Sequence, residues 1–113
     1  MARRKPTKAT LRAQNIVRAA RQLLSKETDF LEGIRELVRL GYEPDGCEYA
    51  SGFEFFHWVN RRISHIPSPE VRPMCAQSWL AAVDAEMTQM EISLRDCVDV
   101  ECHALIARFE PRS

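Results

Sequence analysis

The stretch Ala76-Gln-Ser-Trp-Leu-Ala-Ala-Val-Asp-Ala-Glu-Met-Thr-Gln-Met-Glu-Ile-Ser-Leu-Arg-Asp-Cys-Val-Asp-Val-Glu-Cys-His-Ala-Leu-Ile-Ala-Arg108 contains neither glycine nor proline. Along it, Leu80, Val83, Met87, Met90, Leu94, Val98, Cys102, Leu105 and Phe109 recur in steps of three and four. That spacing places them on one stripe of a helix. It predicts a single helix of about 50 Å at ~1.5 Å per residue, or two with a kink near Asp84. Glu86, Gln89, Asp96 and Asp99 fall on its outer face, and Pro111 ends it.

The same periodicity continues upstream. Leu11, Ile16, Val17, Ala20, Leu23 and Leu24 form an apolar stripe on a helix expected from about Thr10 to Ser25, with Thr10 as its N-cap. After a break at Lys26-Glu27-Thr28, a second helix carries Phe30, Leu31, Ile34, Leu37, Val38 and Leu40 as its core face. Thr28 or Asp29 caps it, Asp29 and Glu32 suit the positive end of its dipole, and Arg39 suits the other end. Gly41 is expected to supply a left-handed stop. So short a break folds these two helices into an antiparallel hairpin.

The segment Phe53 to Ile63 is aromatic enough for a strand, but a lone strand would have nothing to pair with. It is assigned as helix, with Trp58 in its core and Trp79 partly exposed. Pro67, Pro69 and Pro73 bend the chain between Ile66 and Met74, with one short turn around Pro69 to Arg72. The expected fold is all-α: a small helical bundle in which an N-terminal antiparallel helix hairpin packs on a long C-terminal helix. Residues 1–9 are expected to form a disordered basic arm, and residues 10–110 a single helical domain.

The chain has 113 residues, 45% of them hydrophobic and 28% charged. That suits one domain burying roughly two thirds of its unfolded surface. No apolar run approaches the ~20 residues of a membrane span. No apolar segment follows the basic start Met1 to Lys8, as a secretory signal would require. Cys47, Cys75, Cys97 and Cys102 lack paired spacing, so free thiols in a reducing cytoplasm are expected.

The formal net charge of +0 conceals an asymmetry. Residues 1–26 hold Arg3, Arg4, Lys5, Lys8, Arg12, Arg18, Arg21 and Lys26 with no acid, leaving 8 basic against all 16 acidic side chains elsewhere. Such an arm can serve as a solvated tail, or can neutralise phosphates. The candidate nucleic-acid contacts are Arg3, Arg4, Lys5, Lys8, Arg12, Arg18 and Arg21. Against that role stand Asp29, Glu32 and Glu36 on the second helix, and the acids after Gly41.

Catalytic and metal chemistry find little footing. Cys97 and Cys102 are five apart and Cys102 adjoins His103, so neither pair converges at the spacing a helical metal site needs. His57 and His65 are eight apart, with a break expected between them. Cys75, His65 and Asp84 have no spacing that enforces a nucleophile–base contact. Gly33, Gly41, Gly46 and Gly52 fit no phosphate-binding loop. No catalytic residue, metal ligand or cofactor is assigned, and the chain is expected not to be an enzyme.

The segment Tyr42 to Gly52 is the longest irregular stretch, with a turn at Pro44-Asp45-Gly46. Tyr42, Glu43, Asp45, Glu48 and Tyr49 set two tyrosines among three carboxylates, beside Phe53, Phe55, Phe56 and Trp58. Tyrosine and tryptophan dominate interface hot spots, and an acidic rim steers a basic partner. These five residues are the candidate partner-binding set. The same loop would equally serve as a polar lid over the core.

The pattern His65-Ile66-Pro67, Val71-Arg72, Leu80, Asp84-Ala85-Glu86, Glu91, Cys102 and Leu105 through Phe109 resembles a family of short, uncharacterised, bacterial all-helical proteins. Leu23-Leu24, Phe30-Leu31-Glu32-Gly33 and Arg35-Glu36-Leu37 are similar to that family's first hairpin. Where the family has an acidic stretch before its His-Leu-Pro, this chain has Arg61-Arg62-Ile63-Ser64, and Cys75 stands where many members have tryptophan. The resemblance implies a bacterial cytoplasmic protein of the immunity or antitoxin kind, which neutralises or regulates a partner protein such as a toxin. The alternative is a nucleic-acid-associated regulator using the basic arm and the first helix. A homo-oligomer is a third reading.

Overall fold

The computed structural model describes residues 7–42 and 51–110. Within them, four α-helices follow in order: α1 Lys8–Leu24, α2 Phe30–Gly41, α3 Glu54–Ile63 and α4 Gln77–Phe109, with a 3-10 turn at Arg72–Met74. The all-α bundle with a long C-terminal helix is as expected. α4 runs unbroken through Asp84, so one helix forms rather than two.

α1 begins earlier than Thr10, because Thr7 is the N-cap and its hydroxyl accepts from the Thr10 amide at 3.1 Å. Lys8 and Ala9, assigned above to the arm, are therefore helical, while residues 1–6 lie outside the described set. Leu11 is also corrected. It stands five residues before Ile16, about 140° around the helix at ~3.6 residues per turn. It is 46% exposed, while Ile16, Ala20 and Leu23 are buried.

Lys26, in the left-handed region at φ 61°, turns the chain between α1 and α2. Asp29 then caps α2 by accepting from the Glu32 amide. Gly41 does not end α2 by left-handed geometry. It is the last helical residue, and Tyr42 leaves in extended conformation. Its lack of a side chain serves packing instead, since the Phe53 ring lies directly against its Cα.

α1 and α2 are antiparallel, with the start of α1 beside the end of α2. There Arg12 donates from Nε to the Leu40 carbonyl at 3.1 Å and from Nη2 to the Gly41 carbonyl at 3.2 Å. Two further arginines repeat this device. Arg35 of α2 donates to the carbonyls of Ile63 and Ile66 after α3, and Arg95 of α4 donates to those of Leu23 and Leu24 at the end of α1. Helix C-termini leave carbonyls without intrahelical donors and carry partial negative charge, so a cation from a neighbouring helix satisfies both.

The core joins Ile16, Ala20 and Leu23 of α1, Ile34 and Leu37 of α2, Phe56, Val59 and Ile63 of α3, and Val98, Cys102 and Leu105 of α4. The helices close a ring in the order α4, α1, α2, α3, in which α1 packs most extensively on α4 and the α3–α4 seam is the loosest. The molecule is elongated, 60 × 28 × 25 Å, along the direction that the length of α4 dictates.

Cys75, Cys97 and Cys102 are free thiols; Cys47 lies outside the described residues. Cys102 is fully buried, and burial, with Asp99 adding to it, pushes its thiol up to about 12. An unfolded thiol ionises near 9, so this group opposes folding only as pH rises past that value. In native alkylation, Cys97 and Cys75 should react promptly and Cys102 at least ~100-fold more slowly, since reactivity follows thiolate fraction and access. Equal rates by mass spectrometry would contradict that burial.

Candidate functional site

The α3–α4 seam is closed at its two ends and open between them. At one end the Phe53 ring lies 5.9 Å from that of Phe109. At the other, His65 Nε2 sits 3.0 Å from Glu86 Oε2. α3 thus runs antiparallel to α4, and the gap between these closures forms two clefts in line. One, of about 290 Å³, is lined by Trp58 and Arg62 across from Glu86, Met90 and Leu94. The other, of about 270 Å³, is lined by Phe55 across from Asp96, Cys97, Val100 and Glu101.

Trp58 is the principal correction to the sequence reading. Expected in the core, it is 40% exposed, matching the 41% of Trp79. The reason is helical geometry: Trp58 is two residues past Phe56, and residues two apart point to opposite sides. Phe53, Phe56, Val59 and Ile63 take the buried face, which leaves Trp58 on the rim. Its ring stacks on Phe55 at 6.1 Å with an interplanar angle of 29°, and Arg62 lies over it, 4.8 Å from the centroid. These contacts hold the indole in place at the surface. Across the gap Val100 is 65% exposed.

Of the candidate partner-binding set, only Tyr42 is described. It is 43% exposed and meets His57 edge-on, with centroids 5.2 Å apart. Burial, then Arg61, holds the His57 imidazole below its usual range. Glu43, Asp45, Glu48 and Tyr49 lie outside the described residues.

The basic set is partly engaged. Arg3, Arg4 and Lys5 lie outside the described residues. Arg12, expected on the surface, is the partly buried cap of α2. Arg21 pairs with Glu110, and Arg18 donates to Asn15 at 3.0 Å. Lys8 is exposed. The cleft of about 530 Å³ beside Arg18 and Arg21 also carries Glu27 and Glu110, which would oppose a phosphate.

The residues weighed for catalysis have other partners. The Cys75 thiol donates to the Val71 carbonyl at 3.5 Å, and His65 meets Glu86. Arg72 holds Asp84 through two hydrogen bonds of 2.9 and 2.7 Å, which keeps the Asp84 carboxyl below its usual range and pins the proline bend to α4. Among the described residues, no three His, Cys, Asp or Glu side chains gather as a metal site. No described helix is long and apolar enough to cross a membrane.

No protein-family model, curated protein or solved structure matches this chain.

Proposed function

We propose that this chain is a non-catalytic, cytoplasmic helical binding protein that neutralises or regulates a partner protein, in the manner of immunity and antitoxin proteins. The observation that carries this reading is the open α3–α4 seam, where Phe55, Trp58 and Val100 offer apolar surface between polar rims. A large aromatic held partly exposed beside an arginine has the composition of an interface hot spot. On this reading the docking face includes α3 and the facing flank of α4; of the acidic-loop set only Tyr42 lies within the described residues. Tyr42 borders the other edge of α3 through His57.

The test is co-purification with the product of the adjacent gene in the native host at physiological salt. The wild-type chain should retain that protein, and Trp58→Asp should lose at least ~90% of it, as expected of a hot spot worth 2 kcal/mol or more. Retention by Trp58→Asp, or recovery with neither, would overturn the reading.

A further inference from the structure

The two walls of the groove carry opposite charge. Arg62 stands on the α3 wall, and Glu86, which also meets His65, stands across from it in the same cleft, followed along α4 by Asp96 and Glu101. Between the walls runs an apolar stripe of Phe55, Trp58, Met90, Leu94 and Val100. From this arrangement we infer that the groove is self-complementary, and that in the free protein it docks the groove of a second copy. The inference rests on the reading of this seam as a docking face.

The symmetry argument is specific. In a two-fold dimer every contact occurs twice, with the roles of the partners exchanged. An axis running along the groove exchanges the two walls while keeping each residue at its own level. Arg62 of one copy then meets Glu86 of the other, because the two line the same cleft. One level further, Phe55 meets Val100 for the same reason. An axis across the groove would instead set α4 against α4, bringing Glu86, Asp96 and Glu101 against the same acids of the other copy, so the charge pattern selects one orientation. The formal net charge of +0 adds no overall repulsion between copies.

The patch is small. The stretch Glu86 to Glu101 spans about 22 Å at ~1.5 Å per residue, which puts the contact at the low end of specific interfaces. A weak, transient dimer follows. The second copy covers the surface a heterologous partner would use, so the two modes of docking exclude one another.

Sedimentation velocity on the full chain, from low micromolar to several hundred micromolar, tests this. The wild type should pass from monomer to dimer, with a blue shift of tryptophan emission as Trp58 is covered. Arg62→Glu and Glu86→Arg should each weaken self-association at least ~10-fold, because each sets like charges together twice. An equimolar mixture of these two variants should recover the dimer, since both contacts are then opposite in sign. A wild type that stays monomeric, a dimer indifferent to both reversals, or a mixture that stays monomeric would overturn the inference. Trp58→Asp separates it from the reading beneath: monomeric wild type with partner capture lost in this variant overturns self-docking alone. Self-association and partner capture both unchanged by Trp58→Asp overturn the docking face itself. Far-UV circular dichroism confirms that each variant is folded.

Discussion

Gly41→Ala is expected to destabilise the fold by about 2 kcal/mol, although alanine is the better helix former by ~1 kcal/mol. A Cβ at this position would stand 2.6 Å from Cδ1 and 2.7 Å from Cγ of Phe53, well inside van der Waals contact. The ring has little room to retreat. Phe53 is fully buried, with Phe56 at 6.5 Å and Phe109 at 5.9 Å between centroids. Its own Cβ would be only 3.2 Å from the new methyl, so rotating the ring does not remove the conflict. Either α2 and α3 separate, or the aromatic contacts that join α2, α3 and α4 are lost. Gly33 supplies the control. A Cβ there would meet Leu23 Cδ1 at 2.7 Å and Thr28 Cγ2 at 3.0 Å, both methyl ends of side chains. Gly33→Ala should therefore change stability by no more than about 1 kcal/mol in either direction. Urea titrations of the two variants against the wild type decide the matter. Gly41→Ala at or above wild-type stability would refute the close-packing account.

The elements were legible in the sequence because their apolar residues repeat at helical spacing. Ile16, Ala20 and Leu23, then Ile34 and Leu37, then Phe56, Val59 and Ile63, are all buried as that spacing predicts. Errors arose where composition displaced geometry. Trp58 was grouped with its aromatic neighbours rather than with its angular position, and Leu11 was joined to a stripe on the other side of α1. Gly41 shows a different limit: a glycine after an apolar run is read as a left-handed stop, and only the ring of Phe53, twelve residues on, reveals that it is needed for close approach. The seam was not among the residues that the sequence singled out as a binding set. Phe55, Trp58 and the acids of α4 were in view, yet nothing local shows that the α3–α4 seam stays open, because that depends on which helices pack most tightly. The arginine caps were invisible for the same reason. Arg12 and its two carbonyl acceptors are 28 and 29 residues apart, and no periodic pattern encodes such pairings.

Arg95→Met should cost about 2–3 kcal/mol, the range expected when hydrogen bonds to a charged group are lost from a partly buried site. Arg95 sits on α4 with its side chain only 16% exposed, and its Nη2 donates to the carbonyls of Leu23 and Leu24. Its Nε lies 3.3 Å from Asp99 Oδ1, one turn along the same helix, an ion pair without hydrogen-bond geometry. The cation faces the negative end of the α1 dipole at the contact where α1 and α4 pack most extensively. Methionine keeps much of the side-chain volume, so the loss reports the hydrogen bonds and charge rather than a cavity. Lysine should recover only part of the difference, because its ammonium can replace the one Nη2 that bonds both carbonyls but loses the Nε contact with Asp99. Arg18→Met, on the exposed face of α1, should stay within about 0.5 kcal/mol of the wild type. Asp99→Asn should fall between these cases: the side chain is 40% exposed overall, but the guanidinium loses the charge beside its Nε. Urea denaturation of the four variants gives the ranking directly. A loss below 1 kcal/mol for Arg95→Met would show that apolar contact alone holds α4 to the end of α1, and full rescue by lysine would show that a point charge there suffices.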